Sequence, residues 1–187
     1  MNTDSIQLGM YREGNRIEAK ESQGGLPGSI WETYSSFSNT NGGVILLGVT
    51  EQSDKTLKPI GLSDPEQLVK QFWDNINNLQ KVSGNILSDK DVTILKVDGF
   101  RIIQISVPRA DRRDRPVYVG SDPFKGSYRR NGEGDYHCHP DEVRSMFRDQ
   151  ADVSTDTRVV AELSMEAFDK ESVSGYRRRL ELSNYLT

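Results

Sequence analysis

Hydrophobic and polar positions alternate from Arg16 to Lys20, with Ile17 and Ala19 set between Arg16, Glu18 and Lys20. A period of two marks a half-exposed strand, and it puts Glu18 and Lys20 together on an outward, polar face. Ser22 to Gly28 is a Gly/Pro loop. Ser29-Ile30-Trp31-Glu32 then reads as a capping box, Ser29 being the N-cap and Glu32 reaching back to it. Ile30, Tyr34 and Phe37 follow at helical spacing, and the small Ser35, Ser36 and Ser38 allow close packing on another face. Asn41-Gly42-Gly43 ends this helix, with Gly43 expected at positive φ. Val44 to Val49 is a continuous apolar run and predicts a buried central strand.

Asp64-Pro65 starts a second helix, with Leu68, Phe72, Ile76 and Leu79 on one stripe. Val92 to Val97 and Phe100 to Val107 flank Asp98-Gly99, a strong hairpin signal. Val117 to Val119 and Ser127 to Arg130 read as short strands, and Asn131-Gly132 turns the chain. His139 before Pro140 reads as the N-cap of a helix carrying Val143, Met146 and Phe147. The fold class that results is α/β: a mixed β-sheet holding the Ile17 strand, the Val44 strand and the 92–107 hairpin. Helices near 30–41, 65–79 and 140–150 flank it. Residues 10–150 make this domain. Residues 151–187 form a polar linker and a last helix, Glu171 to Leu186, striped by Val173, Tyr176 and Leu180. Such a helix leads into a further C-terminal domain or docks back on the domain or on a twin subunit.

The chain of 187 residues is 34% hydrophobic and 28% charged, enough for one buried domain and a short appendage. No apolar run is long enough to span a bilayer, and Met1 to Ser5 lacks the basic start of a signal peptide, so the cytoplasm is the expected compartment. The lone Cys138 excludes an internal disulfide. A net charge of -4 argues against coating nucleic acid by bulk positive charge. One stretch departs from that balance. Arg109, Arg112, Arg113, Arg115, Lys125, Arg129 and Arg130 face only Asp111, Asp114 and Asp122 between positions 109 and 130. Tyr118, Phe124 and Tyr128 are interleaved with them, which would offer phosphate contacts beside stacking surfaces.

Two segments carry the remaining chemistry. The first is Glu13-Gly-Asn-Arg-Ile-Glu18-Ala-Lys20. The second is Ser36-Phe-Ser-Asn-Thr-Asn-Gly-Gly-Val-Ile-Leu-Leu-Gly-Val-Thr-Glu51, followed by Ile60-Gly-Leu62. With Arg115-Pro-Val-Tyr118 and Tyr128-Arg-Arg-Asn-Gly132, they resemble, in order over residues 10–150, the Schlafen AlbA-type domain. That module occurs in bacterial transcriptional regulators and in the core of Schlafen proteins. Ala19 stands where the family has Phe, and Ser36 and Ser38 where it has alanines; these are packing positions.

The resemblance implies a nucleic-acid-binding module, of DNA or RNA, in a bacterial-type transcriptional regulator. Lys20, Arg109, Arg112, Arg113, Arg115, Arg129 and Arg130 are the expected contacts. Schlafen relatives that cleave RNA imply a rival: a metal-dependent endoribonuclease using Glu13, Glu18 and Glu51. Clustered carboxylates hold magnesium or manganese through oxygen, and such an ion can activate water. A third reading is an oligomerisation or scaffold module, a homo-oligomer being one form of it. No Gly-x4-Gly-Lys-Ser/Thr occurs, so ATP hydrolysis is unsupported. His137, Cys138 and His139 stand too close together, with no second pair, to make a zinc site.

Overall fold

The structure, a computed structural model, describes residues 16–150 and, further on, 169, 171, 174–176 and 178. In chain order the elements are β1 (Ile17–Lys20), α1 (Ile30–Asn39), β2 (Gly43–Leu47), β3 (Val49–Glu51), β4 (Leu57–Pro59) and α2 (Pro65–Ile76). They are followed by β5 (Val92–Val97), β6 (Phe100–Val107), α3 (Pro123–Gly126), β7 (Tyr128–Asn131), β8 (Gly134–His137) and α4 (Pro140–Asp149). The chain divides into two compact units, 1–151 and 152–187. In the second, Glu171, Ser174 to Tyr176 and Arg178 are helical; the rest of the expected last helix lies outside the described residues. No helix among the described residues is long and apolar enough to cross a membrane.

The mixed sheet runs β1-β2-β6-β5, with β1 parallel to β2 and the other pairs antiparallel. β2 is apolar throughout because both of its faces are covered. Ile45 and Leu47 join Ile103 and Ile105 of β6 under α1 and α2, where Tyr34, Phe37 and Phe72 complete the main core. On the other face Leu46 meets Ile102, Val97, and the Val49 and Leu57 of the β3–β4 ribbon. Nine of the ten residues of α1 are buried, its serines included. Small residues let the β7–β8 hairpin close over the helix face turned away from the sheet. The Asp98-Gly99 turn joins β5 to β6, both residues at positive φ as a two-residue hairpin requires. His139 caps α4, its Nδ1 accepting from Asp141 N while Glu142 returns to His139 N.

Five local expectations are corrected. Ser29 has helical backbone angles and makes no capping bond; its Oγ instead accepts from Lys20 Nζ at 3.2 Å. The helix-ending glycine at positive φ is Gly42 (φ +69), not Gly43; Gly43 is the first residue of β2, and a Cβ there would lie 2.6 Å from the Phe37 ring. The apolar run 44–49 is not one strand, because Gly48 (φ +83) turns the chain so that Val49 enters the separate β3–β4 ribbon. The Gly48 carbonyl accepts from both Ile60 N and Gly61 N, which pins the corner. Lastly, α2 ends at Ile76, leaving Leu79 exposed, and in place of a strand over Val117 to Val119 only Tyr118 and Val119 form isolated bridges.

Candidate functional site

The register of β1 decides where its charges go. Glu18 pairs with Ile45 and Lys20 with Leu47, so both side chains lie on the sheet face that carries the main core, at its edge beside α1. The alternation along β1 is real, but its polar face is the inward one, covered by α1 and the β7–β8 hairpin. There Glu18 Oε2 receives Arg130 Nη2 at 3.0 Å and Glu18 Oε1 receives Lys20 Nζ at 3.1 Å. Arg130 Nη1 reaches Asp135 Oδ1 at 3.0 Å, and Thr33 Oγ1 donates to Asp135 Oδ2 at 2.7 Å. The Arg130 guanidinium lies over the Phe37 ring, 5.1 Å from its centre, with its side chain only 1% exposed. Two carboxylates and two cations thus balance in a half-sealed cluster that joins β1, α1, β7 and β8.

No local pattern in the sequence singles out Asp135 and Thr33. The Gly132-Glu133 loop between β7 and β8 sets Arg130 opposite Asp135, so the hairpin signal at Asn131-Gly132 holds that information once a strand is read beyond it. Arg130, expected at phosphates, is corrected to an internal residue: its charge is enclosed by Glu18 and Asp135. Lys20 is likewise held by Glu18 and Ser29, its side chain 13% exposed.

A second polar hub fixes the basic segment to α1. The buried Asn39 side chain acts as a short strand: Nδ2 donates to Val117 O (2.8 Å) and Tyr128 O (3.0 Å), and Oδ1 accepts from Val117 N (2.9 Å). Ser35 Oγ donates to Val117 O and accepts from Tyr128 N. The loop from Pro108 to Ser121 is therefore anchored at Val117, and Ala110 N adds a bond to Ser38 O. From this anchored base Arg109, Arg112 and Arg113 are exposed, and Arg112 Nη1 donates to the Asp149 carbonyl at the end of α4. Arg115 is half-buried, its Nε enclosed without a hydrogen-bond acceptor. Burial, and then the nearby charge of Arg109, lower its pKa from the ordinary arginine value. Crowded guanidinium groups of this kind gain from an added anion. Arg129 is exposed, with Nε 3.4 Å from Glu142.

The carboxylate trio implied by the resemblance is not assembled from what the structure describes. Glu13 lies outside the described residues. Glu51 sits at the end of β3, where its Oε1 receives Lys55 Nζ at 2.8 Å, and Lys55 also reaches Glu133. Among the described residues no group of three His, Cys, Asp or Glu side chains is placed to hold a metal ion. The two described carboxylates are each paired with cationic side chains, Glu18 with Lys20 and Arg130 and Glu51 with Lys55.

The family model Schlafen, AlbA_2 matches residues 13–139. Among solved structures, the N-terminal domain of a RecG-related protein from Nitrosomonas europaea is 27% identical, with a TM-score of 0.50, covering 66% of this chain and 83% of that one. A Corynebacterium diphtheriae protein is 18% identical with a TM-score of 0.46, over 73% of this chain and 24% of that one. No curated protein matches. The ordered motifs, the mixed sheet under α1 and the match across most of the domain agree, and the chain belongs to the Schlafen, AlbA_2 family.

Proposed function

We propose that residues 16–150 form a nucleic-acid-binding module that holds the phosphate backbone through Arg109, Arg112, Arg113 and Arg115, with Arg129 of β7 as a further contact. The observation that carries this reading is the anchoring of the 108–121 loop. Asn39 and Ser35 fix it at Val117, so a concentrated set of arginines is presented on a rigid base instead of a floppy tail. Phosphate contacts of this kind supply most sequence-independent affinity. The half-buried, charge-crowded Arg115 gives the strip a place where an anion relieves repulsion. The name of the Nitrosomonas europaea protein, which relates it to an ATP-dependent DNA helicase, connects a similar domain with DNA. A bacterial-type transcriptional regulator is the setting this reading assigns to the module.

The cation pairing of Glu18 and Glu51 weighs against the metal-dependent nuclease. The test is incubation of the chain with labelled single- and double-stranded DNA and RNA, with and without manganese. Binding that weakens with salt, without cleavage, is the expected result. Manganese-dependent cleavage would establish the nuclease instead, and inertness in every arm would leave the scaffold reading.

A further inference from the structure

Beside the basic loop lies a groove of about 430 Å³, within the size range of small-molecule sites. Its apolar surface comes from Ile86, Pro116, Val117, Tyr118 and Phe147; its polar groups include Asp114 and Gln150. Asp114, Pro116 and Val117 belong to the same loop as the arginines, so whatever follows the arginine strip runs past the groove. The aromatic surface continues outward: the Phe147 ring lies 6.4 Å from Phe124, which is 43% exposed and has the Arg144 guanidinium 5.8 Å from its centre. The backbone on the far side is fixed, because Tyr34 Oη donates to Gly84 O and accepts from Ile86 N, while Ser83 Oγ accepts from Tyr118 N.

Asp114 is the informative residue. Of the three aspartates in the segment, Asp111 accepts from Arg113 N and Asp122 from Phe124 N, each shaping its own turn. Asp114 instead lines the groove. A carboxylate next to a phosphate track repels the backbone unless donors meet it, and a carboxylate accepts hydrogen bonds only. Among the bases, guanine presents two adjacent donors, N1–H and the N2 amino group, on its Watson–Crick edge. Thymine and uracil present one N–H between two carbonyls, which a carboxylate repels. That edge is accessible only when the base is unpaired.

The geometry points to this groove as a binding site for an unstacked guanine of single-stranded nucleic acid, its ring against Tyr118 and Phe147 and its donor edge on Asp114. This inference rests on the phosphate-binding reading of the arginine strip and adds a base-reading site to it. The test is fluorescence anisotropy of the full 187-residue chain with a labelled thymidine oligonucleotide, compared with the same oligonucleotide carrying one central guanine. The guanine oligonucleotide should bind about tenfold more tightly, the scale of a bidentate base contact. Asp114→Asn should abolish the preference without weakening the thymidine tract. Phe147→Ala should weaken the guanine oligonucleotide about tenfold, as removal of a stacking surface does. Equal binding of the two oligonucleotides with a strong salt dependence would overturn the groove alone and leave the arginine strip standing. A preference that survives Asp114→Asn would also overturn it, and no binding of either single-stranded oligonucleotide would overturn the groove, with duplex binding then deciding the arginine strip separately.

Discussion

Glu18→Gln removes one charge from the cluster around Arg130 while nearly preserving shape. Arg130 is almost fully enclosed and has carboxylates on both sides, Glu18 and Asp135, each at 3.0 Å. Breaking a buried ion pair outright by deleting one partner costs about 3–5 kcal/mol, because a charge is left unpaired. Here Asp135 remains, and the glutamine oxygen can still accept from Arg130. The loss is therefore closer to that of a charge-assisted hydrogen bond, about 1–3 kcal/mol. Glu18→Ala, which removes the acceptor too, should approach the larger range. Urea unfolding measures both. In a double-mutant cycle with Arg130→Met, the pair should be destabilised less than the two single changes summed, since no unpaired guanidinium is left behind. The opposing account makes Glu18 a metal ligand: manganese would raise the melting temperature of the parent and not of Glu18→Gln, by the linkage of binding to folding. A Glu18→Gln protein within about 0.5 kcal/mol of the parent, together with that manganese response, would refute the structural role.

Asn39→Asp should destabilise the domain by about 2 kcal/mol or more, since it deletes the donors to Val117 O and Tyr128 O and buries a charge; urea unfolding reads the loss, and protease nicking within 108–121 should rise with it. Gly42→Ala and Gly43→Ala should each cost about 1–3 kcal/mol for different reasons, positive φ with the Val107 carbonyl close by at Gly42 and collision with Phe37 at Gly43, so Phe37→Leu should rescue only the second. Burial pushes the Cys138 thiol up to about 11 from 9.0 and the Tyr34 phenol up to about 12 from 10.0. Folded pKa values raised in this way favour the protonated forms, so their stability is fully present below about pH 9 and is lost as pH rises toward 11 and 12. The urea midpoint should fall over that range, less so in Cys138→Ala, and thiol reagents at about pH 8 should label Cys138 only after denaturant is added.

The sheet, its hairpin and the helix starts at Pro65 and Pro140 were legible because each rests on local chemistry: an apolar run, an Asp-Gly turn, a proline at a helix's first turn. The outward assignment of Glu18 failed for a different reason. Alternation gives two faces but not which of them the rest of the chain will cover, and here the covering hairpin is over a hundred residues away, so its Arg130 and Asp135 supply the partner charges from a distance. The same tertiary effect moved Ser29 from capping α1 to accepting from Lys20, and made Gly48 a corner inside an apolar run. The arginine-rich loop was visible as composition. Its anchoring was not, because a buried asparagine bonding to Val117 across 78 positions leaves no local pattern.

The central claim, that exposed arginines of the 108–121 loop hold nucleic-acid phosphates, is tested most directly by the salt dependence of binding. The affinity of the parent and of the Arg109→Ala/Arg112→Ala/Arg113→Ala variant for one single-stranded oligonucleotide should be measured across a range of salt concentrations. Removing one arginine–phosphate pair lowers the magnitude of the log–log slope by about 0.7 on single strands. The account predicts a slope flattened by about two units and a fold unchanged by circular dichroism. A variant that binds with the parent's slope would contradict it.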